Sequence, residues 1–231
     1  MSVDTRGPAV RERLARPLVA EALGTALLVA AVVGSGIMAQ RLAPSDHAMQ
    51  LLANAVATVA VLGVLIALLG PISGAHFNPA VTLAEAMVRR AGPLRAVGYV
   101  SAQLAGGCAG TVLAHAMFGL PAVATGGAVR TGAGLWLGEV VATAGLVLTI
   151  QLLVASGRAG AVALAVPAWI LGAYWFTSST SFANPAVTVG RALTDTFAGI
   201  APSSVPAFLL AQLAGGALGV AIAVFLGGRR P

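Results

Sequence analysis

The triplet Asn-Pro-Ala occurs twice, at Asn78-Pro79-Ala80 and Asn184-Pro185-Ala186. The chain holds only three asparagines, Asn54, Asn78 and Asn184, so two of the three stand in this triplet, each after a long apolar stretch. Asparagine suits a helix N-cap. Proline suits the first helical turn, where its missing N–H costs nothing. Each triplet therefore reads as the start of a short helix, over about 79–89 and 185–193. These helices are too short to cross a bilayer, which takes about 20 residues.

The rest of the chain supplies the bilayer-spanning material. Of 231 residues, 58% are hydrophobic and 9% charged, against roughly a quarter charged in a soluble domain. Apolar runs at about 18–39, 48–69, 95–118, 135–155, 160–177 and 204–227 are long enough to span. Alternating segments of about 10 residues, the pattern of a membrane barrel, are absent. The fold class expected is an all-α membrane protein of six transmembrane helices and two re-entrant half-helices. The chain reads as one integral domain over 1–231, with repeat halves at about 16–118 and 135–228 and an N-terminal cytoplasmic tail over 1–15. The first apolar run is too long for a signal-peptide core and reads as a retained span. A single cysteine, Cys108, allows no internal disulfide and reads as a small buried residue of the third span.

The net charge is +6, and every basic residue is an arginine. Basic character can mark nucleic-acid binding, but these charges lie between the apolar runs. In a six-span arrangement ten arginines fall on one side, and only Arg41, Arg130 and Arg191 on the other. Basic loops face the cytoplasm, which puts both termini inside. The expected location is the cell (inner) membrane, with the lipid bilayer as partner and no nucleic acid.

Sequence features repeat between the halves. Ala20-Glu21-Ala22-Leu23-Gly24-Thr25 opens the first span, and Gly138-Glu139-Val140-Val141-Ala142-Thr143 lies early in the fourth. Phe77-Asn78-Pro79-Ala80-Val81-Thr82 is matched by Phe182-Ala183-Asn184-Pro185-Ala186-Val187-Thr188, with one extra residue. Ala102-Gln103-Leu104-Ala105-Gly106-Gly107 recurs as Ala211-Gln212-Leu213-Ala214-Gly215-Gly216. Three spans per half is an odd number. The second half therefore enters from the opposite face, an inverted repeat with its site at the midplane.

This arrangement gives chemistry to particular residues. Irregular backbone at membrane depth is tolerated where it is buried or lines a watery cavity. Two half-helix N-termini meeting there place two positive dipole ends at one point, which repels cations. Asn78 and Asn184 can donate to a passing oxygen. The stretches before them, with Gly74, Ala75, His76 and Phe182, offer carbonyls along a pore; His76 reads either as pore lining or as a packed hydrogen-bonding residue. Glu21 and Glu139 are ionisable groups within spans, which are costly and usually functional. Their equivalent positions suggest that each accepts N–H groups from a re-entrant loop; the alternative is a proton relay. The glycines around 106–110 and 215–219 read as close helix crossings. No nucleophile–base pair or metal-ligand cluster is apparent, so no enzyme activity, cofactor or metal is expected.

These motifs resemble the aquaporin (major intrinsic protein) family: the Ala-Glu-x-x-Gly-Thr opening, Ser73 to Thr82, the second Asn-Pro-Ala and the repeated Gln-Leu-Ala-Gly-Gly. The resemblance implies a homotetramer, each subunit carrying its own pore, and passive flow of small neutral molecules. The family usually has arginine directly after the second Asn-Pro-Ala; here that residue is Val187. Counting by the family's spacing gives a selectivity filter of Thr58, Gly172, Ser181 and Val187, wide and uncharged. Phe182 could narrow it from a second layer. Arg191, one turn beyond Val187, reads as an (i, i+4) partner of Asp195, or alternatively as a displaced charge in the outer vestibule. The segment with Val187 is similar to bacterial aquaporins of arsenic-resistance operons, which implies conduction of neutral arsenite. Glycerol, urea and water suit such a filter as well. The alternatives are a water-selective pore with a rebuilt filter, an ion-coupled carrier, and a non-conducting scaffold.

Overall fold

The computed structural model describes residues 6–227, with side chains described from residue 14 onward. The side chains of Arg6, Arg11 and Arg13, and all of Arg229 and Arg230, lie outside the described residues. Eight α-helices follow in order: α1 Arg6–Leu42, α2 His47–Ser73, α3 Pro79–Met87, α4 Pro93–Met117, α5 Ala133–Ala155, α6 Val162–Phe176, α7 Pro185–Arg191 and α8 Val205–Gly227. Six of them, α6 and α8 with the short turns that lead into them, are long and apolar enough to cross a membrane. The two others, α3 and α7, are the half-helices that the Asn-Pro-Ala triplets start. The expected spans hold to within a few residues. Residues 6–15, expected as a tail, are already helical and continuous with the first span.

Local chemistry sets the ends. Asp46 caps α2 by accepting the Met49 N–H at 2.9 Å, and Gly74, at φ 94°, ends it. Proline opens α3, α4 and α7 at the first turn. Pro17, Pro71 and Pro167 lie inside α1, α2 and α6, where proline is better tolerated than in a soluble helix.

Packing follows the inverted repeat. Helix α1 packs along α4, and its counterpart α5 along α8; α2 and α6 meet across the two halves. The repeated glycines permit this approach. A methyl group on Gly106 would collide with the Ala22 carbonyl oxygen, and one on Gly215 with the Val140 carbonyl oxygen. The expected close crossings are thus formed, by equivalent residues in each half. Cys108, expected to be buried, is only half-buried.

The protein is a multi-pass membrane protein, and its outer surface fits that role. Large apolar side chains such as Phe225, Leu164 and Leu94 are exposed on the spans. An apolar surface this extensive would be an association hazard in water; acyl chains solvate it. The arginines segregate by end. Arg41, Arg130 and Arg191 bond carbonyls of Phe118, Gly199 and Ala198. Arg90 and Arg95 bond Gln151 and Ser73 at the other end.

Candidate pore and its two half-helices

The loops before α3 and α7 are built alike. Ala75 and Phe77 have φ of 50° and 47°, and Ser181 and Ala183 have φ of 50° and 48°. These are left-handed conformations in non-glycine residues, each costing about 1–2 kcal/mol. One buried carboxylate holds each loop in that shape. Glu21 accepts the N–H groups of His76 (3.0 Å) and Phe77 (2.7 Å), the Ser73 hydroxyl (2.6 Å) and the Gln103 amide (2.7 Å). Glu139 accepts the N–H groups of Phe182 (2.8 Å) and Ala183 (2.9 Å) and the Gln212 amide (2.6 Å). A hydrogen bond to a charged acceptor contributes about 1.5–3 kcal/mol, so three or four of them outweigh the strain of two residues. Both carboxylates serve as scaffold acceptors, Glu21 in four hydrogen bonds and Glu139 in three.

The equivalence between halves differs from the sequence match. Each glutamate takes the N–H groups of the two residues before an Asn-Pro-Ala asparagine. His76 therefore corresponds to Phe182, and Phe77 to Ala183; the shared phenylalanine is out of register. The structure also gives the repeated glutamines a function that the sequence did not disclose. Gln103 Nε2 donates to Glu21 and to Thr82 Oγ1 (2.9 Å); Gln212 Nε2 donates to Glu139 and to Thr188 Oγ1 (2.8 Å). Each glutamine ties a loop carboxylate to a half-helix. The signal was present, since glutamine and threonine both recur at equivalent places.

At the centre the two asparagines cap and cross-link together. Asn78 Oδ1 accepts the Ala80 N–H at 2.9 Å, and Asn184 Oδ1 accepts those of Ala186 (2.9 Å) and Val187 (3.3 Å). Asn78 Nδ2 donates to the Ala183 carbonyl at 2.7 Å, and Asn184 Nδ2 donates to the Phe77 carbonyl at 2.8 Å. One amide hydrogen per asparagine is left for the cavity beside them.

That cavity, of about 580 Å³, has a wall that extends from Ala159 and Gly160 past Asn78 and Asn184 to Val187 and Arg191. Apolar side chains of α2 and α6, including Leu62, Ile66, Val166 and Ile170, form much of it. Thr58, Gly74, Ala75, His76, Ser181, Phe182 and Val187 all lie in the wall. His76 meets both readings, since its Nδ1 is 3.0 Å from Thr82 Oγ1 and its ring packs edge-on to Tyr99. Pro79, Pro185, Ala80 and Ala186 are buried at the half-helix starts.

Two expectations are corrected. Gly172 lies on an exposed face of α6 and is not in the cavity wall. Tyr174, two residues on, is in the wall, with its hydroxyl 3.5 Å from Thr58 Oγ1. A two-residue step turns about 200° around a helix, so the two positions do not share a face. Arg191 does not pair with Asp195. Its Nε donates to the Ala198 carbonyl, while Asp195 accepts the Gly127 N–H at 2.9 Å. The side chain is buried, with its guanidinium carbon 3.4 Å from the Phe182 ring centroid.

Comparison with known proteins agrees with this architecture. A family model described as "Major intrinsic protein" matches residues 9–171. The chain is 53% identical to Aquaglyceroporin AqpS of Rhizobium meliloti (strain 1021) over 209 residues, covering 90% of this chain and 89% of that one. It is 42% identical to human Aquaporin-2 over 100 residues, 43% of this chain and 35% of the other. Among solved structures, the aquaglyceroporin from Plasmodium falciparum superposes with a TM-score of 0.67 over 94% of this chain and 96% of that one; at 21% identity this likeness speaks for the fold alone. Inverted halves, paired Asn-Pro-Ala half-helices and a cavity between them are thus joined by sequence similarity over most of the chain: it belongs to the major intrinsic protein family.

Proposed function

We propose that this channel passes small uncharged polar solutes down their gradients: glycerol, urea and neutral arsenite, with water in parallel. The observation that carries the reading is Val187. It occupies the wall directly after the second Asn-Pro-Ala, with Thr58 and Ser181 in the same wall. An uncharged side chain there leaves room for a solute broader than water. Arsenite as As(OH)₃ resembles a small polyol in charge and hydroxyl content, so the same wall suits both.

The single chain encloses its cavity, which supports one pore per subunit of a proposed homotetramer. The arginine distribution supports cytoplasmic termini in the inner membrane. Engagement of Glu21 and Glu139 as loop acceptors favours a passive pore over an ion-coupled carrier or an enzyme, since neither carboxylate is left to relay protons.

The test is reconstitution of the purified protein in liposomes. Water, glycerol and urea flux are followed by stopped-flow light scattering, and arsenite uptake by arsenic counting. Fast solute flux that ignores a proton gradient supports the reading, and the arsenite-to-glycerol ratio ranks the solutes. A second reading, a water-selective pore, has its own observation: Phe182 and Arg191 sit together at the end of the cavity. Fast water flux with solutes excluded is its outcome.

A further inference from the structure

We propose that Arg191 carries the positive charge of this channel's selectivity filter, one helical turn beyond the position where Val187 lacks it. The inference rests on the channel reading above and adds the residue that sets charge selectivity. Positions i and i+4 share a helix face, and Val187 and Arg191 both line the main cavity. A second cavity of about 200 Å³ adjoins it, lined also by His47, Arg130 and Thr180. Arg191 is the one described residue that lines both cavities. Its side chain therefore stands between the two cavities.

The side chain is held in place for such a function. It is only 2% exposed. Its Nε is anchored on the Ala198 carbonyl, and its guanidinium lies over the Phe182 ring, an attractive cation–π contact. Among the described residues, no carboxylate pairs with it and no protein acceptor takes its two terminal nitrogens. Arg130 reinforces the charge. Its guanidinium carbon lies 5.3 Å from the same ring centroid, and its Nε donates to the Gly199 carbonyl at 3.1 Å. Two positive charges near one aromatic ring, with Arg191 buried and Arg130 half-buried, repel cations. The free guanidinium N–H groups are donors for the hydroxyl oxygens of neutral solutes, and the ring offers an apolar face to their carbon skeleton.

The test compares wild type, Arg191→Gln, Arg191→Lys and the double variant Arg191→Gln with Val187→Arg in liposomes. Proton and sodium leak under a diffusion potential is read with an internal dye, beside glycerol and urea uptake. Arg191→Gln is expected to raise cation leak by about tenfold or more. The double variant, which returns a charge to the pore one turn away, is expected to restore tightness; a merely structural arginine gives no such rescue. A folded Arg191→Gln that is as cation-tight as wild type, with the same glycerol-to-urea ratio, overturns the proposal. Should Arg191→Gln fail to fold, Arg191→Lys decides. It keeps the charge but loses the planar donor fork, so it should stay cation-tight with an altered glycerol-to-urea ratio; leak or an unchanged ratio overturns the proposal. Wild type that passes water alone would sink the solute reading, yet the leak comparison stays readable.

Discussion

Asn78 and Asn184 each donate a side-chain N–H to the residue preceding the other, at the Ala183 carbonyl (2.7 Å) and the Phe77 carbonyl (2.8 Å). The tie is reciprocal, so the two half-helix starts are fixed to each other as well as capped. Replacing Asn184 by alanine removes a cap, costing roughly 0.5–2 kcal/mol, and leaves a buried Phe77 carbonyl unpaired, costing roughly 1–3 kcal/mol more. Asn184→Ala should therefore unfold at distinctly lower denaturant in detergent micelles. A midpoint equal to wild type would show that the tie contributes nothing.

Glu139→Gln tests the loop scaffold. A glutamine offers one acceptor oxygen and turns N–H groups toward the donors of Phe182, Ala183 and Gln212. The left-handed residues Ser181 and Ala183 then lose what holds them. A destabilisation of roughly 1–3 kcal/mol per buried donor left unpaired is expected, read as lost folded yield and thermal stability. Normal folding with loss of flux alone would point to a transport function for the carboxylate instead.

Val187→Arg should depress glycerol and arsenite flux more than water flux, because the added side chain narrows the wall at that point. Stopped-flow ratios measure this directly. An equal loss of all three would indicate blockage or misfolding.

Gly172 and Tyr174 make opposite predictions. A bulky Gly172→Phe should leave the glycerol-to-water flux ratio unchanged, since the residue is off the cavity wall. Tyr174→Ala should raise glycerol flux relative to water by widening the wall beside Thr58. The reverse pattern would return Gly172 to the filter.

Gly106→Leu should prevent α4 from seating on α1, because even a methyl group would meet the Ala22 carbonyl oxygen. Overpacking commonly costs 1–3 kcal/mol, and the unyielding neighbour here is backbone, so about 3 kcal/mol or more is expected. Thermal stability in detergent checks it; an unshifted unfolding temperature would mean that the helices can separate at no cost.

The features legible in the residues alone are local or translational. Apolar run lengths set six spans, and Asn-Pro pairs set two helix starts. Odd span counts per half set the inversion, and equivalent placement gave Glu21 and Glu139 their loops. Each follows from bilayer thickness or from the chemistry of one helical turn, which neighbouring elements do not change. The features settled by packing between distant elements are rotational. Counting back from Asn184 chose Gly172 for the pore, yet helix rotation turned Tyr174 inward. A matched phenylalanine suggested one loop register, and the Glu139 hydrogen bonds set another. The Arg191 and Asp195 spacing allowed an ion pair, but burial over Phe182 and the nearby Ala198 carbonyl claimed the guanidinium, while the Gly127 N–H took the carboxylate. Side-chain direction changes by about 100° per residue along a helix, and the packing partners that fix it lie far away in the chain.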